Sequence, residues 1–199
     1  MSRKIPPFTF HVVGVSCNKS WPGGQPHSWN IFCGVIAQLQ KSKSLNTHAV
    51  VLMSNHYHWI CSYEPPCTEE IFEEFHERVR VEYLNHSFFG NSIFESSPAA
   101  FPITSPVSLQ STLKYIYRNP VDAGLVFKAE DYSYSTLSFL LGKKKLPFEC
   151  KDSFKIIFDP IRILSWINDP TSRPLYYKIN YYESNIRGGP IESQPSTSP

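Results

Sequence analysis

Short runs of β-branched and aromatic residues alternate with longer stretches of helical periodicity through the first half of the chain. The short runs predict three strands, over residues 8–15, 48–53 and 57–62. Apolar positions spaced three and four residues apart predict two helices, over residues 28–40 and 68–84. The second and third strands follow each other so closely that a hairpin is expected.

The second half of the chain carries weaker signals. Residues 100–104 predict a short strand, and Ser108 is expected to cap a helix that Pro120 ends after residue 119. Two further apolar patterns predict helical structure, over residues 133–141 and 154–167. Residues 90–98 predict a loop, and the Gly-, Pro- and Ser-rich stretch from residue 188 predicts disorder.

The order of these elements predicts the fold class. The succession β-α-β-β-α-(β)-α is typical of an α+β, ferredoxin-like fold, in which helices pack on one face of an antiparallel sheet. We divide the chain into a main domain (1–142), a partly helical C-terminal extension (143–187) and a disordered tail (188–199).

Composition narrows the class of protein without identifying it. Hydrophobic residues make up 41% of the 199 residues, enough for a buried core, and no apolar run approaches the roughly 18 residues of a membrane span. With 19 basic and 17 acidic residues the net charge is +2, so charge alone does not indicate a nucleic-acid-binding protein. Five cysteines without a Cys-x-x-Cys pair favour reduced thiols and a cytoplasmic location over a zinc ribbon or a disulfide framework.

The segment MSNHYHWIC, residues 53–61, carries the first candidate chemistry. On a strand, His56 and His58 point to one face and Tyr57 to the other. Two imidazoles about 7 Å apart on one rigid strand can converge on a single metal ion. Because a His-x-His pair is common in a chain with seven histidines, this pattern alone is weak.

The predicted helix SLQSTLKYIYRN, residues 108–119, carries the second set of candidate functional residues. Its core stripe at 100° per residue contains Leu109, Leu113, Ile116 and Tyr117. Tyr115 and Asn119 lie off that stripe, one turn apart on a common face. Such a face can supply a nucleophile and a neutral metal ligand together.

These segments together resemble the single-tyrosine HUH transposases, particularly the REP-associated branch. The resemblance rests on NHYH, then KYIYRNPVDAGLV, then DYSYST, and it covers about residues 8–140. It implies that His56 and His58 are metal ligands, that Asn119 completes the metal site and that Tyr115 is the catalytic tyrosine. Tyr57 departs from the family pattern, which has an aliphatic residue between the histidines, and the stretch 90–103 lacks the family's arginine.

The resemblance also implies an activity. The expected enzyme is a metal-dependent single-stranded DNA endonuclease and strand transferase that cuts hairpin-associated DNA through a 5′-phosphotyrosine intermediate, with Mg²⁺ or Mn²⁺ as cofactor. Single-stranded or hairpin DNA is the expected partner. A homodimer is compatible with it, since relatives pair the tyrosine with histidines of their own chain or of a second copy.

Basic residues near these motifs are candidates for DNA contact, with a solvated surface role as the alternative. They are Lys114, Arg118, Lys143, Lys144 and Lys145.

Three other functions remain open from the sequence. His-x-His also begins several metal-dependent hydrolase sites, but the metallo-β-lactamase type needs an aspartate where this chain has Ile60. A non-catalytic descendant that binds hairpin DNA without cutting it keeps the same motifs. A purely structural interaction protein leaves the face of Tyr115 and Asn119 unexplained.

Overall fold

The computed structural model describes residues 8–86, 93–153 and 155–171. The start of the predicted loop at 90–98, the end of the C-terminal extension and the predicted tail at 188–199 lie outside the described residues.

Four antiparallel strands form the central sheet of the described structure. They are β1 (Thr9–Val15), β2 (Leu45–Leu52), β3 (His56–Tyr63) and β4 (Ala99–Pro102), and they lie side by side in the order β2-β3-β1-β4. A tight connection joins β2 to β3, where the Met53 N–H donates to the His56 carbonyl at 2.8 Å. The predicted hairpin and all four predicted strands are therefore present.

Two helices cover one face of the sheet. These are α1 (Gly24–Ser42) and α2 (Glu70–Asn85), each starting and ending near its predicted bounds. Phe32 of α1 and Phe75 of α2 pack edge-on against Tyr57, which points to this face from β3. The strand order with both helices on one face confirms the ferredoxin-like α+β prediction.

The helix α3 (Pro106–Asp122) covers the opposite face. Its Asn119 contacts His58, whose side chain points away from α1 and α2 because side chains alternate along β3. The prediction of helices on one face thus holds for α1 and α2 only. The central strands β1 and β3 carry buried side chains on both faces, so the second face also needs a cover.

Both predicted ends of α3 are wrong. Ser105, not Ser108, caps the helix, since its hydroxyl oxygen accepts from the Ser108 N–H at 3.0 Å and Pro106 occupies the first turn. Pro120 lies inside the helix rather than ending it. Proline removes one backbone donor, but the Ala123 N–H still donates to the Asn119 carbonyl at 2.9 Å, and this bond closes the final turn.

Short helices from the C-terminal part of the chain pack behind α3. They are a 3₁₀ turn (Ala129–Asp131), α4 (Leu137–Leu140) and α5 (Pro160–Asn168). The apolar patterns at 133–141 and 154–167 predicted α4 and α5 but not the 3₁₀ turn. The α5 side chain Trp166 lies under the Lys114 ammonium of α3, and Asn168 binds both α3 and the 3₁₀ turn. Among the described residues, no helix is both long and apolar enough to cross a membrane.

Candidate active site

His56 and His58 share the face of β3 that α3 covers. Their ring centroids are 4.9 Å apart and the ring planes are nearly perpendicular, at 86°. Nδ1 of His56 lies 2.8 Å from Oδ1 of Asn55. A carboxamide oxygen only accepts, so Nδ1 of His56 carries the proton and Nε2 of the neutral ring keeps its lone pair. His56 therefore has one nitrogen suited to bind a cation.

Asn119 reaches this pair of histidines from α3. Its Nδ2 donates to Nε2 of His58 at 2.9 Å, a contact between residues 61 positions apart in the chain. Both side chains are buried, with no surface of His58 exposed. Helix and strand are thus joined at the position where the sequence predicted a metal site.

Tyr115 lies one turn before Asn119 on α3 and is half-buried. Its ring stands edge-on to the His58 ring, with centroids 5.6 Å apart. Tyr117 points elsewhere: its hydroxyl lies 3.1 Å from Oγ1 of Thr136 in the core, and burial raises the pKa of Tyr117 well above its ordinary value. The helical phase that separated the two tyrosines agrees with the structure.

His11 is a fifth residue of this cluster, and the sequence analysis did not identify it. Nε2 of His11 lies 3.0 Å from Nδ1 of His58, and 1% of the His11 surface is exposed. The His11 ring also stands edge-on to Tyr115, with centroids 6.3 Å apart. The only available sequence signal was the alternation of β1, which assigns His11 a face but not a neighbour on β3.

Burial favours the neutral form of His11 and His58. Burial lowers the pKa of His11 to about 3. The pKa of His58 falls well below its ordinary value through burial first, then through the charges of His56 and His11. A protonated ring does not bind metal, so a depressed pKa keeps His58 in the state that a ligand requires.

The donor atoms of this cluster fit a divalent cation. Within residues 8–86, 93–153 and 155–171, no group of three or more His, Cys, Asp or Glu side chains can hold a metal ion. A cation at this site would instead be held by His56, His58 and the side-chain amide of Asn119. Asparagine is not among those four residue types. A set of two imidazoles and one amide oxygen would leave coordination positions for phosphate oxygens and water, as a catalytic metal site requires.

Lys114 and Arg118 do not face the histidines. Only 2% of the Lys114 surface is exposed, and its ammonium lies 5.0 Å from the centre of the Trp166 ring. Arg118 pairs with Asp122 at 3.0 Å and donates to the Asn168 carbonyl at 2.6 Å. Their positions place both side chains in the contact between α3 and α5 rather than on a surface open to DNA.

Lys143, Lys144 and Lys145 are exposed, as a solvated or DNA-contacting run requires. The Lys143 ammonium donates to the Glu130 carbonyl at 3.3 Å, and that of Lys144 to the Ser133 carbonyl at 3.1 Å. The structure brings none of the three into contact with the histidines.

Tyr57, the departure from the HUH pattern, packs on the side of α1 and α2. Its hydroxyl lies 2.9 Å from Nε2 of His76, and the His76 ring stacks on Phe94 with centroids 3.5 Å apart. A Cβ atom at Gly14 would overlap the Tyr57 ring and lie 2.7 Å from Nε2 of His76. A tyrosine fits between the two histidines because the neighbouring strand carries glycine at this point.

Two solved structures align with parts of this chain, and one of them aligns closely enough to compare the folds. The structure of a REP-associated tyrosine transposase bound to a REP hairpin superposes with a TM-score of 0.59 at 16% identity, over 76% of this chain and 93% of that one. A crystal structure of a candidate transposase from Deinococcus radiodurans aligns with a TM-score of 0.37 at 12% identity, over 57% of this chain and 95% of that one, which is too loose to add to the comparison. No protein-family model and no curated protein sequence matches the chain. The first superposition shows that the chain has the fold of a tyrosine transposase.

Proposed function

We propose that this protein is a metal-dependent single-stranded DNA endonuclease and strand transferase that acts on hairpin-associated DNA with Tyr115 as nucleophile. The observation that carries the proposal is the contact between Asn119 and His58, which brings the Tyr115 helix onto the histidine strand within one chain. The similarity in fold to a transposase bound to a hairpin agrees with it.

The proposed reaction exchanges one phosphoester for another. The Tyr115 hydroxyl gives up its proton to solvent, and its oxygen attacks the phosphorus of a DNA phosphodiester. The bond from phosphorus to the 3′ oxygen breaks, and that oxygen takes up a proton to become a free 3′-hydroxyl. A 5′-phosphotyrosine link remains on the protein. The 3′-hydroxyl of another strand can reverse the same step, so strands are exchanged without an energy source.

His56, His58 and Asn119 would hold the divalent cation, Mg²⁺ or Mn²⁺. When bound, the cation supplies Lewis-acid stabilisation of the charge that develops on the phosphate oxygens. The protein ligands are neutral, so they leave the charge of the cation uncompensated for the phosphate. Burial of His58 and Asn119 fixes the direction from which the cation is held.

The half-buried position of Tyr115 suits a nucleophile. Its ring stands edge-on to both His11 and His58, while the helix presents it on the same side as Asn119. A free tyrosine has a pKa near 10, so a cation beside the histidines would assist the loss of its proton. The core tyrosine of the same helix, Tyr117, lacks that access because it is buried against Thr136.

The test is incubation of the full chain with end-labelled single-stranded hairpin DNA and Mg²⁺ or Mn²⁺, followed by a denaturing gel. We expect a covalent protein–DNA adduct with wild type and its loss with Tyr115→Phe or with a chelator. Binding of the hairpin without any adduct would instead identify a non-catalytic DNA-binding protein. Adduct formation that survives the chelator would remove the metal from the mechanism.

A further inference from the structure

His11 stands in an unusual position for a buried histidine. It lies in β1, in the sheet that is covered by α1 and α2 on one face and by α3 on the other. Its Nε2 contacts His58, and its Nδ1 has no hydrogen-bond partner among the described residues. Either neutral form of His11 leaves that Nδ1 atom unsatisfied, as a lone donor or as a lone acceptor. The residue opposite His11 on β4 is Phe101, so an apolar ring is accepted on this face. The apolar packing of this face therefore does not by itself require a histidine here.

The hydrogen bonds around His58 decide which of its nitrogens carries the proton. Nδ2 of Asn119 is a donor, so Nε2 of His58 accepts and holds a lone pair. The single proton of the neutral ring then sits on Nδ1. Nε2 of His11 lies 3.0 Å from that Nδ1 and is the acceptor for its proton.

We propose that His11 is a positioning residue, which holds the His58 proton on Nδ1 and so keeps a lone pair on Nε2 of His58, which a divalent cation can take in place of the Asn119 N–H. The inference rests on the proposed function, since it assigns His58 as a metal ligand. Histidines that bind metals commonly donate their other ring N–H to a fixed acceptor, which sets both the tautomer and the orientation of the ring. In this chain the acceptor is itself a histidine from the adjacent strand.

The first test is the tautomer of His58 in the metal-free protein. Long-range ¹H–¹⁵N correlation spectra of the labelled full chain distinguish a protonated from an unprotonated ring nitrogen. We expect the wild-type His58 to carry its proton on Nδ1 and His11→Phe to shift it toward Nε2. His11→Gln supplies an amide oxygen in place of the Nε2 acceptor, so it should restore the wild-type tautomer.

The second test is Mn²⁺ affinity, measured by the loss of the free-ion electron paramagnetic resonance signal. We expect His11→Phe to bind Mn²⁺ about 10–100-fold more weakly than wild type, with most of that affinity recovered in His11→Gln. His48→Phe is the matched control, because His48 is another buried histidine whose ring nitrogens bind Ser62 and Ser153 and not His58. It should leave the Mn²⁺ affinity and the His58 tautomer unchanged.

The outcomes separate the two proposals. A wild-type His58 with its proton on Nε2, or equal Mn²⁺ affinity in His11→Phe and wild type, overturns the role of His11. If His11→Phe does not fold, the tautomer of His58 in wild type and the Mn²⁺ affinity of His11→Gln decide the question. A wild-type proton on Nδ1, together with an affinity of His11→Gln near that of wild type, supports the role of His11. Any other result overturns it. Wild-type protein that binds Mn²⁺ but forms no DNA adduct overturns the proposed function and leaves the His11 assignment standing. Wild-type protein that binds no Mn²⁺ overturns both.

Discussion

Nδ2 of Asn119 lies 2.9 Å from Nε2 of His58, and this hydrogen bond joins α3 to β3. His58 is also bonded to His11, so it connects three elements of the fold. The same side chain is therefore both a proposed metal ligand and a part of the core. Loss of the His58 ring should therefore affect stability as well as metal binding.

His58→Ala and His56→Ala should differ in stability while sharing one functional defect. His58→Ala strands buried polar atoms of His11 and Asn119, which should lower the free energy of unfolding by about 1–3 kcal/mol. His56→Ala removes a hydrogen bond to the adjacent Asn55, a contact that does not join separate elements of the fold, so its cost should be smaller. Urea unfolding measures the difference, and both variants should lose Mg²⁺-dependent adduct formation. An unchanged adduct in His58→Ala would contradict the metal assignment.

Tyr115→Phe and Tyr117→Phe form a matched pair on one helix. Tyr115→Phe should retain stability and hairpin binding but form no adduct, because it removes the hydroxyl proposed to attack phosphorus. Tyr117→Phe should form the adduct and lose about 1 kcal/mol of stability, since its buried hydroxyl is bonded to Thr136. Denaturing gels and urea unfolding of both variants check this. An adduct that disappears only in Tyr117→Phe would show that the nucleophile is assigned to the wrong tyrosine.

Asn119→Ala should weaken Mn²⁺ binding less than His58→Ala does. An amide is a neutral and poorer ligand than an imidazole for most first-row transition metals, so its loss removes the weaker of the two bonds. Titration of free Mn²⁺ by electron paramagnetic resonance gives both affinities under one set of conditions. A larger loss in Asn119→Ala than in His58→Ala would mean that the amide, not the histidine, dominates the site.

Gly14→Ala should destabilise the fold by roughly 1–3 kcal/mol, because the added methyl group overlaps the Tyr57 ring and crowds His76. Combining it with Tyr57→Leu should cost less than the sum of the two single changes, since leucine vacates the space of the ring. Gly34→Ala is the control: nothing lies within 4 Å of its added methyl group, and alanine favours the helix by roughly 0.5–1 kcal/mol. Additive effects of Gly14→Ala and Tyr57→Leu would contradict the steric explanation.

Stability should fall as the pH is lowered from 7 to 5. Burial lowers the pKa of His76 from its ordinary 6.5 to about 3, and burial with the charge of Lys151 lowers the pKa of His48 to about 4. Below pH 6.5 the unfolded chain takes up protons that the folded protein cannot. The stabilisation is therefore complete above pH 6.5 and is lost toward the folded pKa values, by up to about 1.4 kcal/mol per pH unit for each histidine.

Urea unfolding at pH 7, 6 and 5 measures this slope. His48→Gln removes one of these titrating groups, so it should reduce the slope of stability against pH by the contribution of one histidine. This reduction should appear whatever the substitution does to stability at pH 7. Equal stability of wild type at pH 7 and pH 5 would show that these histidines are not held neutral by the fold.

The sequence was sufficient to group site residues that lie on the same strand or the same helix. Strand alternation grouped His56 with His58, and helical phase grouped Tyr115 with Asn119, so each pair needed only the period of its own element. The family resemblance then associated the strand with the helix, which periodicity alone does not do. The structure brings these four residues together.

The sequence was insufficient to predict the surroundings of a residue whose contacts come from a distant part of the chain. His11 contacts His58 only through the register of β1 on β3, in which His58 lies opposite Val13, and register cannot be read from either strand alone. Lys114 was expected at a surface, but Trp166 of α5 covers it, and no motif in the C-terminal extension indicated where α5 packs. Pro120 was expected to end α3, although a missing donor removes only one bond when the following turn is otherwise complete.

The packing of Tyr57 on Gly14 links the residues that these two positions can carry. A side chain at position 14 occupies the volume of the Tyr57 ring, so position 14 requires glycine while position 57 is tyrosine. A chain that gains the tyrosine needs the glycine first, and a chain that loses the tyrosine can then accept a larger residue at position 14. This strand pair therefore restricts the order in which the two positions can be substituted.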